Sequence, residues 1–211
     1  FFYALNAATT SRRSMFRGFL FGYGYFMAGT WWIANALLVD AAQFGWLMPF
    51  SILGLSGVMA LWFGLFGWVF GLRKPRAAWA NILRFITLWV LMEYARSFGQ
   101  FGFPWNLIGT TSLAVLPLAQ TASLVGPYGL GLVVLSLALT PVMWRQQLRY
   151  MAIVVWLGAA ALVSYGIMRL PTEAALSGHY LRLVQPSIPQ TMKADPRARQ
   201  EILARLLALT H

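Results

Sequence analysis

Glu93 and Arg96 are the two side chains whose type and spacing most plainly call for chemistry. They lie three residues apart within an apolar stretch, which puts both on one face of a helix. Ionisable groups at such positions are costly and often functional. Each has an opposite charge beside it, so the pair reads as a structural ion pair that orients its helix and the following loop. That loop, Ser97-Phe-Gly-Gln-Phe-Gly-Phe-Pro-Trp-Asn106, is aromatic, glycine-rich and uncharged. Its composition fits two roles equally: an aromatic belt at a membrane surface, or a surface that touches a lipid substrate. Other chemistry has little footing. His179 is isolated and His211 is the terminal residue, and two histidines without nearby carboxylates do not make a metal site. The chain contains no cysteine, so disulfides, cysteine-type zinc sites and thiol nucleophiles are excluded within these 211 residues. There is no glycine loop with a lysine to hold phosphates and no Gly-x-Ser-x-Gly elbow. No cofactor and no metal is expected.

The elements that must position these residues are membrane helices. Of 211 residues, 59% are apolar and 10% charged, where a soluble domain is typically about 25% charged. Apolar runs at about 15–39, 47–71, 78–98, 114–143 and 150–169 approach the roughly 20 residues needed to cross a bilayer. Residues 1–10 read as the tail of an earlier span. The net charge of +11 does not indicate nucleic acid, because the basic residues sit beside the apolar runs and form no separate stripe. Arg12, Arg13 and Arg17 precede the first run. Arg73, Lys74 and Arg76 separate the second and third, and Arg145 and Arg149 separate the fourth and fifth. Loops 40–46 and 99–113 hold no Lys or Arg. The positive-inside rule then puts the basic loops in the cytoplasm and everything after about residue 170 on the outer side, the periplasm of a Gram-negative cell.

Within the spans, Gly18 and Gly22 are four apart, as are Gly67 and Gly71, a spacing that lets helices approach closely. Gly126-Pro-Tyr-Gly-Leu-Gly131 interrupts the fourth run and reads as a turn or re-entrant start to a helix beginning near Leu130. The tryptophans Trp31, Trp32, Trp46, Trp62, Trp68, Trp79 and Trp89 suit interfaces or packing. From Tyr180 the character changes. Tyr180 to Gln185 predicts a short strand, Pro186-Ser-Ile-Pro189 a loop, and Asp195-Pro196 a helix start with Asp as cap. Ile202, Leu203, Leu206 and Leu207 make one apolar stripe on that helix. Residues 178–211 thus read as the first βα unit of a layered α/β domain, following a helix bundle over 1–170. A single strand has no partner, so this unit is not stable alone. The chain reads as cut at both ends, beginning with Phe1 and stopping after one strand and one helix.

Three features together resemble the apolipoprotein N-acyltransferase family, bacterial inner-membrane enzymes. They are Glu93-Tyr-Ala-Arg96, Gly102-Phe-Pro-Trp-Asn106, and Leu183-Val-Gln-Pro-Ser-Ile-Pro-Gln190 with Lys193 and Asp195. Gly126-Pro-Tyr-Gly-Leu130 also fits. The resemblance implies a mainly α, polytopic membrane bundle carrying a periplasmic α-β-β-α nitrilase-like domain. It implies transfer of an acyl chain from a membrane phospholipid to the N-terminal diacylglyceryl-cysteine of an apolipoprotein. The family's Glu base, oxyanion-stabilising Lys and Cys nucleophile belong to the nitrilase-like domain beyond its first strand. No position here matches any of them, so no catalytic residue is assigned and the chain by itself is expected to be inactive. Glu93 belongs to a membrane helix and is not the catalytic Glu. Matched motif to motif, Phe103, Pro104, Trp105 and Asn106 would face the active-site entrance at the membrane surface, and Gln190 and Lys193 would follow the first strand. The family commonly has Trp after that lysine, where this chain has Ala194; substrate lipid would then be held differently. Two rival readings remain: a non-enzymatic transporter or scaffold, and another membrane-tethered nitrilase-superfamily enzyme that forms amides.

Overall fold

The computed structural model describes residues 1–73, 75, 77–98, 102–170, 178, 182–189, 192–193 and 195–210. Among these residues the chain is mostly helical, with no strand. The short helix α1 (Phe2–Asn6) leads into α2 (Ser11–Thr30). Thr10 caps α2, its hydroxyl accepting from the Arg13 amide at 3.3 Å. The run expected to be one span over 15–39 changes character at Thr30. Its hydroxyl bonds back to the Phe26 carbonyl at 2.7 Å, the kind of bond that bends helices. The chain continues from there as 3-10 turns over Trp31–Asp40.

After the single turn α3 (Ala41–Phe44), α4 (Met48–Leu72) carries no charged residue over 25 positions. At 1.5 Å per residue that is about 37 Å, enough for a bilayer core. Helix α5 (Ala78–Arg96) follows. Helices α2 and α4 form an antiparallel hairpin. Gly71 lies against Ser11 and Ser14, Gly67 against Ser14 and Gly18, and Gly22 against the Phe63 side chain. A Cβ on Gly18 would collide with the Phe63 carbonyl, and one on Gly67 with the Ser14 carbonyl. The two glycine pairs with spacing four therefore mark a real close approach, as read from the sequence.

Rings from α1, α2, α4 and α5 fill the centre. Phe63 meets Trp89 edge-on at 4.9 Å, Phe66 meets Phe85 at 5.3 Å, and Phe1 stacks on Phe21 at 3.9 Å. Edge-to-face geometry uses the ring quadrupole, which matters most where no water is present to drive association. The outward faces are also apolar: Phe16 is 61% exposed, Leu61 62% and Trp156 60%. A water-facing helix would carry polar residues there.

The fourth apolar run breaks into pieces. The 3-10 turns of Ile108–Ala114 precede α6 (Leu116–Ala119), α7 (Ala122–Ala138) and α8 (Thr140–Arg145). Gly126 has φ 66° and ψ −178°, and Pro127 follows. The break predicted at this motif is present because glycine alone takes that conformation without strain. Helix α9 (Arg149–Arg169) packs with Gly166 against the backbone of Pro117. The Ser11–Leu72 stretch and α9 are each long and apolar enough to cross a membrane.

The expected strand does not form among the described residues. Residues 182–189 have no regular secondary structure, and Tyr180 and Leu181 lie outside the described set. A strand is defined by pairing, and none of these residues finds a second strand. The helix start is as expected. Asp195 Oδ1 accepts from the Arg197 amide at 2.8 Å, and α10 (Arg199–Thr210) follows. On the apolar stripe, Leu203 and Leu207 remain exposed.

Candidate lipid-facing site

The structure has two ends. Ser11 meets Gly71 and the Arg145 guanidinium lies 5.8 Å from the Tyr3 ring, so the arginines of α2 and α8 and Arg73 after α4 share one end. At the other end, α5 runs out beside the last turns of α2, and the residues from Gly102 to Leu107 fold over both.

Glu93 and Arg96 are both only 2% exposed. They share a helix face as predicted, but among the described contacts they form no direct salt bridge. Glu93 Oε1 accepts from Trp89 Nε1 at 3.1 Å, one turn back on α5, and from the Ile108 amide at 2.8 Å. One Arg96 amino group donates to the Phe103 carbonyl and, at 2.8 Å, to the Trp105 carbonyl. Its guanidinium lies 5.2 Å from the Phe26 ring centroid. The carboxylate therefore ties down the end of the loop and the guanidinium its middle. The expected orienting role is served by two separate sets of bonds. The physical reason is demand: the loop's backbone groups need partners once buried, and charged groups make the stronger bonds.

Further bonds finish the clamp. The Phe103 amide donates to the Arg96 carbonyl at 2.9 Å, and the Tyr25 hydroxyl donates to the Asn106 carbonyl at 2.6 Å. Asn106 itself has φ 55°, a left-handed conformation that Asn tolerates better than most residues. Its side chain rests where a Cβ on Gly29 would sit. Phe103 packs partly into the aromatic core. Trp105, 55% exposed, points outward and meets Trp32 edge-on at 5.6 Å. Pro104 is exposed and Asn106 half-buried. The arrangement presents Pro104 and the Trp105–Trp32 pair from a rigidly held backbone. Among the described residues it offers no acid, base or nucleophile at the surface.

Sequence reasoning missed Tyr25, Gly29 and Trp32 as loop partners. They are more than seventy positions away in sequence, and nothing local signals the contact. The bond from Trp89 was open to detection, since it lies four residues from Glu93 on one helix face. Lys193 is exposed in a short turn, its amide bonded to the Pro189 carbonyl at 3.3 Å. Among the described residues no hydrogen bond or ring contact joins it to the Phe103–Asn106 loop. Gln190, Ala194, His179 and His211 lie outside the described residues, as do Lys74 and Arg76.

Fold and site together define an apolar helical protein of membrane type that displays a clamped aromatic loop at one end. Residues 1–140 match the family described as the apolipoprotein N-acyltransferase N-terminal domain, and the chain belongs to that family. It is 38% identical over 203 residues to the apolipoprotein N-acyltransferase of Caulobacter vibrioides, covering 94% of this chain and 38% of that protein. The Brucella melitensis protein of the same name is 34% identical over 203 residues, covering 92% and 37%. That of Rhizobium rhizogenes is 36% identical over 205 residues, covering 92% and 38%. The chain thus spans less than two-fifths of the length of these relatives.

Proposed function

We propose that this chain is the membrane part of an enzyme that N-acylates apolipoproteins, together with the start of its catalytic domain. In the reaction, the ester bond of a phospholipid breaks and an amide forms on the free α-amino group of the N-terminal diacylglyceryl-cysteine. A lysophospholipid leaves. The observation that carries this reading is that the clamped Gly102–Asn106 loop lies inside the stretch matching the family's N-terminal domain. The chain crosses the inner membrane several times, with 1–170 as the bundle and 178–211 opening a periplasmic nitrilase-like domain. Exposed apolar faces and the placing at one end of the α2 and α8 arginines and of Arg73, just past α4, support this topology. Phe103, Pro104, Trp105 and Asn106 form the membrane-side lip of the substrate entrance, and Gln190 and Lys193 approach it from the catalytic domain. Glu93 and Arg96 position the lip and take no part in the chemistry.

The decisive experiment uses the whole protein that contains this chain, produced in cells depleted of their own apolipoprotein N-acyltransferase. Mass spectrometry of a lipoprotein N-terminus is expected to find the triacylated form; the diacylated form alone overturns the reading. The 211-residue chain, purified and mixed with phosphatidylethanolamine and a diacylated lipopeptide, is expected to yield no triacylated product. A reporter fused after residue 175 is expected to be active in the periplasm. Activity confined to the cytoplasm refutes the topology.

A further inference from the structure

The arginines at the start of α2 sit at an electrostatically poor place. The first turn of a helix carries partial positive charge and favours acidic residues, yet the first turn of α2 has no acid and two arginines, Arg12 and Arg13. Arg13 is occupied by the Thr9 hydroxyl at 3.0 Å, and Arg17 by the Ala4 carbonyl. Arg12 is exposed and makes no side-chain bond among the described residues. It shares a helix face with Met15, Phe16 and Phe19, at three, four and seven residues.

Those three residues line one wall of a groove of about 330 Å³, and Leu61, Leu65 and Trp68 of α4 line the other. Gly64 forms its floor, with Phe19 and Met15 nearest to it. The hairpin is antiparallel, so Arg73, exposed just past α4, lies at the same end as Arg12. An apolar groove on a hairpin whose near end carries two exposed arginines with no side-chain bond among the described residues matches one chemistry: an acyl chain attached to an anionic headgroup.

We propose that this groove holds one anionic phospholipid, with its phosphate at Arg12 and Arg73 and an acyl chain lying over Gly64. The site rests on reading α2 and α4 as membrane spans, but not on acyl transfer. It lies at the opposite end from Trp105, so its occupant is not the acyl donor. Its role is to anchor the α2–α4 hairpin in the leaflet at the basic end.

The test is lipid retention by the purified chain in native mass spectrometry. The probes are phosphatidylglycerol and phosphatidylcholine with identical acyl chains. Each basic residue near an anionic lipid surface is worth about fivefold in binding, the equivalent of about 1 kcal/mol, and phosphatidylcholine, whose choline cation neutralises its phosphate, gains little of this. One phosphatidylglycerol is expected to be retained, with about tenfold or greater preference over phosphatidylcholine. R12Q with R73Q is expected to abolish most of that preference, with Arg13 and Arg17 left to hold topology. G64L is expected to reduce retention of both lipids. A Cβ at Gly64 meets nothing closer than 3.6 Å, so the helix pair tolerates it and the added side chain enters the groove. L61Q, at an exposed wall position, gives the same readout should G64L fail to fold. Equal retention of the two lipids, an unchanged preference in the arginine variant, or a second copy of the chain in place of lipid would each overturn the proposal. Loss of acyltransferase activity in the whole protein leaves it standing, which separates it from the functional reading above.

Discussion

Two segments carry the residues proposed to face substrate, and their described backbones are held in opposite ways. The loop from Gly102 to Ile108 has its carbonyls and amides bonded by Arg96, Glu93 and Tyr25, from helices on either side. Among the described residues of the junction, 182–189, 192–193 and 195, the bonded backbone amides find their partners within the segment, and the Arg182 side chain donates to the Thr210 carbonyl at 2.9 Å. The amide bonds run from Met192 and Lys193 to the Pro189 carbonyl and from Asp195 to the Met192 carbonyl. Ser187 adopts φ 48°, and among the described residues no helix side chain bonds its backbone. The difference teaches where rigidity at a membrane surface comes from. Aromatic composition alone does not fix a loop. Two buried charges, each meeting backbone groups that would otherwise be orphaned, do so, because leaving such groups unpaired costs about 1–3 kcal/mol apiece.

The comparison breaks most completely at Arg96. R96M removes the bonds to the Phe103 and Trp105 carbonyls and leaves Glu93 buried without a nearby cation. Each carbonyl left unpaired costs about 1–3 kcal/mol, and the loss of the nearby positive charge adds to this, for about 3–5 kcal/mol together. A large drop in melting temperature in detergent is expected, together with loss of acyl transfer in the whole protein. If R96M melts like the parent chain, the clamp is not what holds the loop. E93Q keeps an acceptor for the Ile108 amide but leaves Arg96 without its compensating charge. Its expected cost is smaller, about 1–3 kcal/mol.

Gly29 tests the clamp from the side of α2. G29A places a methyl where the Asn106 side chain lies, and overpacking of this kind costs about 1–3 kcal/mol. The chain has no cysteine, so W105C gives a clean labelling site on the loop. In the G29A background its reaction with a membrane-impermeant maleimide is expected to change rate, while a control cysteine replacing exposed Leu203 is not. Identical rates with and without G29A would mean that Gly29 does not set the loop's position.

Much of the scaffold was legible because its signals are local. Gly18 with Gly22 and Gly67 with Gly71 announce a close helix pair, and the structure joins those two pairs to each other. Gly126-Pro127 announces a break, and φ at Gly126 is positive. Asp195-Pro196 announces a cap, and Asp195 caps. What is not legible locally depends on distant partners. Leu183 and Val184 have strand-like composition, but a ladder needs a second strand. Glu93 and Arg96 look like each other's partners because they are near in sequence, whereas their bonds go mainly to backbone seven to fifteen residues on. The Tyr25–Asn106 bond spans 81 positions, and no periodicity foretells it.

The smallest expected effects sharpen the comparison rather than break it. Y25F deletes a single hydrogen bond to the Asn106 carbonyl and is expected to lower stability by about 1 kcal/mol. K193A, at an exposed residue of the junction, is expected to stay within about 0.5 kcal/mol of the parent. The informative quantity is the contrast between stability and activity in the whole protein. If the loop is a rigid lip, Y25F should lower melting temperature and acyl transfer together, because both depend on where the backbone sits. If Lys193 contacts substrate from the catalytic side, K193A should leave melting unchanged and weaken acyl transfer alone. Equal loss of melting temperature in both variants would mean that the junction is clamped as firmly as the loop, and the distinction between the two regions would fail.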